Sequence, residues 1–154
     1  MDDYSKISST VDALFGMGAS SCMPHDITMT YSRTGRIREV RHNNVLLCTL
    51  RIDGGLAITV NFAHMLLRRK ELREYCVEID DDAAPFVADG RSVMASHVTH
   101  CGRHVRVSSD VPILYKGSVV AVGRAVLSGP MITGARRGVA VRVRDSLKRS
   151  NHTF

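Results

Sequence analysis

Hydrophobic and polar positions along this chain follow two periods, and the changes from one to the other mark out its elements. From Tyr4 to Phe15, the residues Ile7, Val11, Leu14 and Phe15 fall at helical spacing, which predicts a short helix stopped by Gly16 and Gly18. Past the turn at Pro24, Ile27 to Tyr31 alternates as a strand does. Thr34-Gly35 is a turn. Ile37 to Arg41 and Val45 to Arg51 then pair as a hairpin around His42-Asn43-Asn44. After Gly54-Gly55 comes a β-rich run, Leu56 to Val60, followed by a predicted helix from Ala63 to Glu74. Met65, Leu66 and Leu72 are the apolar positions of that helix, and Arg68-Arg69-Lys70 are solvated. Tyr75 to Ile79 reads as one more strand. A helix on an antiparallel sheet makes the first half α+β.

The second half is built of shorter runs punctuated by glycine. Lys116-Gly117-Ser118 turns into the apolar run Val119 to Val122, and Ser128-Gly129-Pro130 precedes a short helix. From Val139 the chain alternates: Val139, Val141 and Val143 on one face, Ala140, Arg142 and Arg144 on the other. That is a half-buried strand with a basic outer side. Several short strands of this kind suggest a closed or nearly closed all-β barrel with short helices. Asp80-Asp81-Asp82 with Pro85 reads as a polar hinge, which divides the chain into domains 1–79 and 80–154.

Composition narrows the function classes. With 44% hydrophobic residues in 154, the chain folds throughout, and no apolar run approaches the roughly 20 residues of a membrane span. The acidic start Met1-Asp2-Asp3 lacks the features of a secretion signal, so a cytoplasmic protein is expected. Cys22, Cys48, Cys76 and Cys101 stand far apart and read as small buried hydrophobes. The net charge is +6, and it is unevenly placed. Residues 1–78 carry ten Lys/Arg against nine Asp/Glu, whereas residues 91–154 carry eleven against only Asp110 and Asp145. A basic half of this kind is the electrostatic footprint of a surface that meets a polyanion.

Two groups of residues are candidates for chemistry. His97, His100, Cys101 and His104 would stack on one side if Ser96 to His104 were helical, and zinc accepts such ligands. The imidazoles have an alternative role as donors or stacking platforms beside RNA, and no metal or other cofactor is expected. Arg91, Arg124, Arg142 and Arg144 form the second group. Arginine outnumbers lysine nine to two from residue 91 onward, as suits bidentate contact with phosphate. Catalytic signatures are lacking: there is no Gly-x-Ser-x-Gly elbow and no phosphate loop, and the acidic run 80–82 reads as solvated linker. The chain is not expected to be an enzyme.

The residues also resemble a known family. Gly90-Arg91-Ser92-Val93-Met94-Ala95, then Ala121-Val122-Gly123-Arg124-Ala125, then Arg137-Gly138-Val139-Ala140-Val141-Arg142-Val143 resemble, in this order, a PUA domain, the RNA-binding barrel of tRNA- and rRNA-modifying enzymes. Upstream, Phe15-Gly16-Met17-Gly18-Ala19, Thr34-Gly35-Arg36-Ile37-Arg38, Thr49-Leu50-Arg51 and Gly55-Leu56 resemble the pre-PUA domain of archaeosine tRNA-guanine transglycosylase. The resemblance implies a cystatin-like helix on a curved antiparallel sheet ahead of the barrel, in an archaeal tRNA-modification setting. The family's catalytic barrel and zinc-binding cysteines have no counterpart in these 154 residues. What it implies, then, is a non-catalytic protein that binds structured RNA, tRNA first, for a separate transglycosylase catalytic subunit. The alternatives are a ribosome-assembly or translation-associated adaptor, or a module that meets an acidic protein. Carried onto this chain, the groove that grips an acceptor stem would involve Arg91, Ser92, Ala95, Ser96, His97, Arg137, Arg142 and Arg144, with Arg124 beside them. The chain has Ser96-His97-Val98 where many PUA domains have Pro-Gly-Val, which removes a close backbone approach there.

Overall fold

The side chain of Asp2 starts the first helix by accepting a hydrogen bond from the Ser5 N–H at 2.7 Å. That helix, α1 (Asp3–Phe15), buries Ile7, Val11 and Phe15 on one side and ends at Gly16, whose φ of 101° no other residue type adopts comfortably. In the computed structural model, which describes residues 2–148, the chain forms two units that divide between Leu72 and Arg73.

The first unit is a four-stranded antiparallel meander with helices. Strands β1 (Thr28–Tyr31), β2 (Ile37–His42), β3 (Val45–Leu50) and β4 (Leu56–Ile58) lie in sequence order. The β2–β3 hairpin closes through Asn43 and Asn44, both at positive φ (50° and 65°), the backbone of a two-residue type I′ turn. Val40, Leu47, Ile58, Phe62 and Leu66 are buried with the α1 residues. The second helix, α2 (Val60–Leu66), begins three residues ahead of the expected start because the Thr59 side chain caps it, accepting from the Phe62 N–H at 3.3 Å. It also ends early. The chain tightens into a 3-10 segment, Lys70–Tyr75, that buries Leu72.

The second unit contains β5 (Val77–Ile79), α3 (Ala84–Ala88), β6 (Val93–Met94), β7 (Val98–Cys101), β8 (Asp110–Tyr115), β9 (Ser118–Ala125), α4 (Gly129–Ala135) and β10 (Val139–Ser146). Its sheet runs β6-β10-β9-β8-β5-β7, with β5 and β8 parallel and the other pairs antiparallel. The edge strands β6 and β7 are joined by one 3-10 turn, Ala95–His97. Three residues connect opposite edges only if the sheet curls on itself, so the barrel is nearly closed. Val77, Ile79, Val87, Val93, Val111, Ile113, Ala121, Ile132, Ala140 and Val141 fill it. At Gly123 a Cβ would lie 2.2 Å from the Arg142 carbonyl oxygen, so only glycine allows β9 and β10 to meet there.

Three expectations are corrected here. Residues 75–79 belong to the barrel rather than to the first unit, since β5 pairs with both β7 and β8. Asp80–Asp82 and Pro85 are therefore the turn into α3 inside the second unit, and the division comes at 72/73 instead of 79/80. Ser96 to His104 is not helical, because Val98–Cys101 is drawn into pairing with β5. Ala140 does not face outward with the arginines: register shifts along β10 turn it into the core, with no exposed surface.

Candidate nucleic-acid interface

β10 and β9 place Arg142 directly opposite Arg124, so their Cβ atoms are about 5 Å apart on one side of the sheet. Both are exposed, and neither has a hydrogen-bond or ion-pair partner among the described residues. Like charges facing each other across a ladder disfavour the bare fold slightly, and a phosphate between them reverses the sign. This pair is the sharpest basic feature of the barrel.

Arg144 is different. Its guanidinium donates to Asp110 at 2.7 Å, and the Asp110 side chain is only 4% exposed against 36% for Arg144. Arg144 neutralises a buried carboxylate of β8, a structural duty that its alternation with Arg142 conceals.

The register Val141↔Val93 and Val139↔Met94 carries Ser92 and Arg91 toward the end of β10 that holds Arg142. Arg91 and Ser92 are exposed, and the Arg91 guanidinium stacks over Phe86 at 5.6 Å. Beside them a groove of about 320 Å³ is lined by Asp89, Gly90, Arg144, Asp145 and Lys148, with Lys148 paired to Asp89 at 3.0 Å. Ser96 and Arg137 are exposed at the opposite end of β10, where the Ala95 N–H donates to the Gly138 carbonyl at 2.9 Å. Ala95 itself is buried, so its side chain offers nothing to a ligand. His97 Nδ1 lies 3.0 Å from Asp80, and this contact holds the Asp80 carboxyl below its usual range.

Of the nine expected residues, Arg124 and Arg142 face each other on β9 and β10, and Arg91 and Ser92, just ahead of β6, lie toward the same end of β10. Ser96 and Arg137 belong to another end, Ala95 is buried, His97 is engaged with Asp80, and Arg144, close to Arg142 on β10, is taken up by Asp110. Sequence reasoning missed Asp110 as the partner of Arg144. The signal was available, because Asp110 and Asp145 are the only carboxylates after residue 91.

Residues 75–147 match the family profile described as PUA domain. The second unit is a PUA domain. Residues 5–70 match the patch-forming domain C2 of tRNA-guanine transglycosylase. The tRNA-guanine(15) transglycosylase of Methanothermobacter thermautotrophicus is 29% identical over 148 residues, covering 94% of this chain. The chain spans 23% of that relative's length. A hypothetical protein from Pyrococcus horikoshii OT3 shares the fold at a TM-score of 0.77 and 20% identity, over 99% of this chain and 95% of the other. A PUA domain from Aeropyrum pernix K1 does so at 0.67 and 17% identity, over 96% and 84%.

In this PUA domain the histidine and cysteine side chains do not converge. On β7, His100 and Cys101 point to opposite faces, and His100 sits across from Glu78 of β5. His104 stacks on Tyr75 with ring centroids 4.7 Å apart, while burial raises the pKa of the Cys101 thiol. No three His, Cys, Asp or Glu side chains gather to hold a metal among the described residues. The charge division also changes. Counted by the observed units, residues 1–72 carry nine Lys/Arg against seven Asp/Glu, and residues 73–154 carry twelve against eight. The basic character of the PUA domain lies in where its charges stand, not in its total. Among the described residues no helix is long and apolar enough to cross a membrane.

Proposed function

We propose that this chain is a non-catalytic RNA-binding protein of archaeal tRNA modification, which takes tRNA at its acceptor-stem region for a separate transglycosylase catalytic subunit in the cytoplasm. The observation that carries the reading is the exposed cross-strand pair Arg124–Arg142 on the PUA barrel, without a partner among the described residues. Arg91 and Ser92, just ahead of β6, extend that surface. Arginines fixed on strands lose little freedom on contact, and each phosphate they neutralise releases counterions, so binding is steeply salt-dependent. His97, Ser96 and Arg137 are assigned a flanking part, and Arg144 a structural one.

The test is the double reversal Arg124→Glu with Arg142→Glu, with binding of unfractionated tRNA measured across a salt series. The slope of log affinity against log salt falls by about 1.4–1.8, at 0.7–0.9 per phosphate. An unchanged slope with intact folding would remove the barrel face from the RNA. A stand-alone activity assay completes it: incorporation of labelled guanine into tRNA by this chain alone would contradict the non-catalytic role. Retention of ribosomal RNA fragments in preference to tRNA would favour an adaptor of ribosome assembly.

A further inference from the structure

Seven arginines precede Arg73, and three of them face a carboxylate two residues away: Arg41 with Glu39 at 3.3 Å, Arg51 with Asp53 at 2.8 Å, and Arg69 with Glu71 at 3.7 Å. Arg33, Arg36 and Arg38 do not. All three are exposed, and none of their guanidinium groups has a partner among the described residues. Arg68 also stands without one, but alone.

The three are gathered at one end of the β1–β2 hairpin, Arg33 and Arg36 in the turn and Arg38 at the start of β2, and their side chains take no part in holding it. The Ser32 N–H donates to the Arg36 carbonyl at 2.8 Å, and the Gly35 N–H to the Ser32 carbonyl at 3.0 Å. The Arg36 N–H donates to Ser32 Oγ at 3.2 Å, and the Ser32 and Thr34 hydroxyls are 3.0 Å apart. The loop is thus braced by its own backbone and two short side chains, and the charges on it are displayed. Arg36 ends the turn and Arg38 lies just inside β2, at the register shift where Thr30 pairs with Glu39 and Tyr31 with Ile37, so the three arginines fall within six residues of one another. At the start of the turn the Tyr31 ring is half exposed, and its hydroxyl donates to Asp3 at 2.5 Å. A set of free forked cations on a braced turn, next to an exposed aromatic ring whose hydroxyl is held, suits a chain of phosphates with bases attached.

We infer that the β1–β2 turn of the first unit is a second RNA-backbone contact, made by Arg33, Arg36 and Arg38, with Tyr31 as a stacking face. The inference rests on the reading of the PUA domain as RNA-binding, and it adds a surface on the other unit. It commits this unit to the polyanion and not to an acidic protein.

The experiment uses the full chain and unfractionated tRNA. Arg33→Glu, Arg36→Glu and Arg38→Glu together reduce the salt slope by about 2–3 and lower affinity at least tenfold at about 0.1 M salt. The corresponding triple lysine variant stays within about threefold of the parent, because charge is kept. Arg68→Glu, a lone exposed arginine, also loses no more than about threefold. Thermal melts verify folding, and a triple glutamine variant replaces the glutamate one if the latter melts early. A triple variant that binds with the parental slope, while Arg124→Glu with Arg142→Glu still weakens binding, overturns this inference alone. So does an Arg68→Glu loss as large as that of the triple. Absence of tRNA binding by the parent at low salt overturns both readings.

Discussion

The two units keep their charges in different ways. In the first, the lysine and arginine pairs Lys6–Asp3, Arg41–Glu39, Arg51–Asp53 and Arg69–Glu71 join residues two or three apart, and only His42–Asp26 reaches further among the described residues. In the second, apart from Arg73–Glu78, the pairs Arg103–Glu74, Arg144–Asp110 and Lys148–Asp89 join residues that only the folded barrel brings together. The difference follows from topology. A meander of adjacent strands presents neighbours in sequence as neighbours in space, whereas the barrel sheet interleaves β5 and β10 among strands distant from them in the chain. Free arginines consequently mean different things. In the meander an arginine without a nearby carboxylate is free, and the turn at Arg33–Arg38 shows it. In the barrel its status is decided elsewhere, and Arg142 and Arg144, two residues apart, end with opposite roles.

The largest effect that tests this contrast is steric. Gly123 lies inside β9 and Gly35 in the turn between β1 and β2, so Gly123 touches another strand and Gly35 only its own turn. Gly123→Ala drives a Cβ into the Arg142 carbonyl and should cost more than about 4 kcal/mol, enough to prevent closure of the barrel. Gly35→Ala meets nothing within 4 Å and suffers only from its φ of 85°, at about 1–2 kcal/mol. Urea melts of the two variants rank them. Near-equal losses would show that the β9–β10 approach is less constrained than its geometry indicates.

Next comes the pair of arginines. Arg144→Ala strips a buried carboxylate of a charged partner, at about 1–3 kcal/mol after allowance for the exposed side of the guanidinium. Arg142→Ala should change stability by less than about 0.5 kcal/mol while weakening tRNA retention. Melting temperatures and binding are then expected to order the two variants oppositely. If Arg144→Ala lost binding without losing stability, its assignment as a structural cation would fall. Reversing Arg142 and Arg144 together would therefore mix a loss of binding with a loss of folding. Arg69 likewise carries a structural contact, donating to the Met17 carbonyl at 2.9 Å, whereas its neighbour Arg68 does not.

What could be read from the residues divides along the same line. Helix α1, the Asn43-Asn44 hairpin and the existence of strand β10 were legible because helical period, turn chemistry and β-rich composition are local properties, whereas the facing of Ala140 was lost to register shifts set by β6 and β9. The resemblance supplied the barrel. The boundary was misplaced because Asp80-Asp81-Asp82 and Pro85 look like a linker, and the pairing of β5 with β7 and β8 leaves no mark within residues 77–79 themselves. The helix proposed for Ser96 to His104 failed in the same way, overruled by the pairing of β7 with β5. At the site, Arg124 and Arg142 were named from residue type and strand face. Their separation from Arg144 depended on a carboxylate 34 residues away.

Asp80 offers the smallest and finest test, because local and distant contacts meet on one side chain. One oxygen accepts from the Ala83 N–H at 3.0 Å, within its own turn, and His97 Nδ1 approaches the carboxylate from 17 residues away. Together they lower the Asp80 pKa, with the His97 contact the larger cause. A carboxyl held below its unfolded value of about 3.9 adds stability that is present above that pH. The contribution disappears as the pH falls through the depressed folded value. His97→Ala should move the Asp80 titration up toward the ordinary value but not fully to it, since the Ala83 N–H remains. Carbon-detected NMR of the Asp80 carboxyl measures the shift directly. The accompanying loss of stability near neutral pH should stay under about 1 kcal/mol, because the pair is well solvated. A midpoint unmoved by His97→Ala would mean that the turn alone holds Asp80, and that the distant contact contributes nothing to its ionisation.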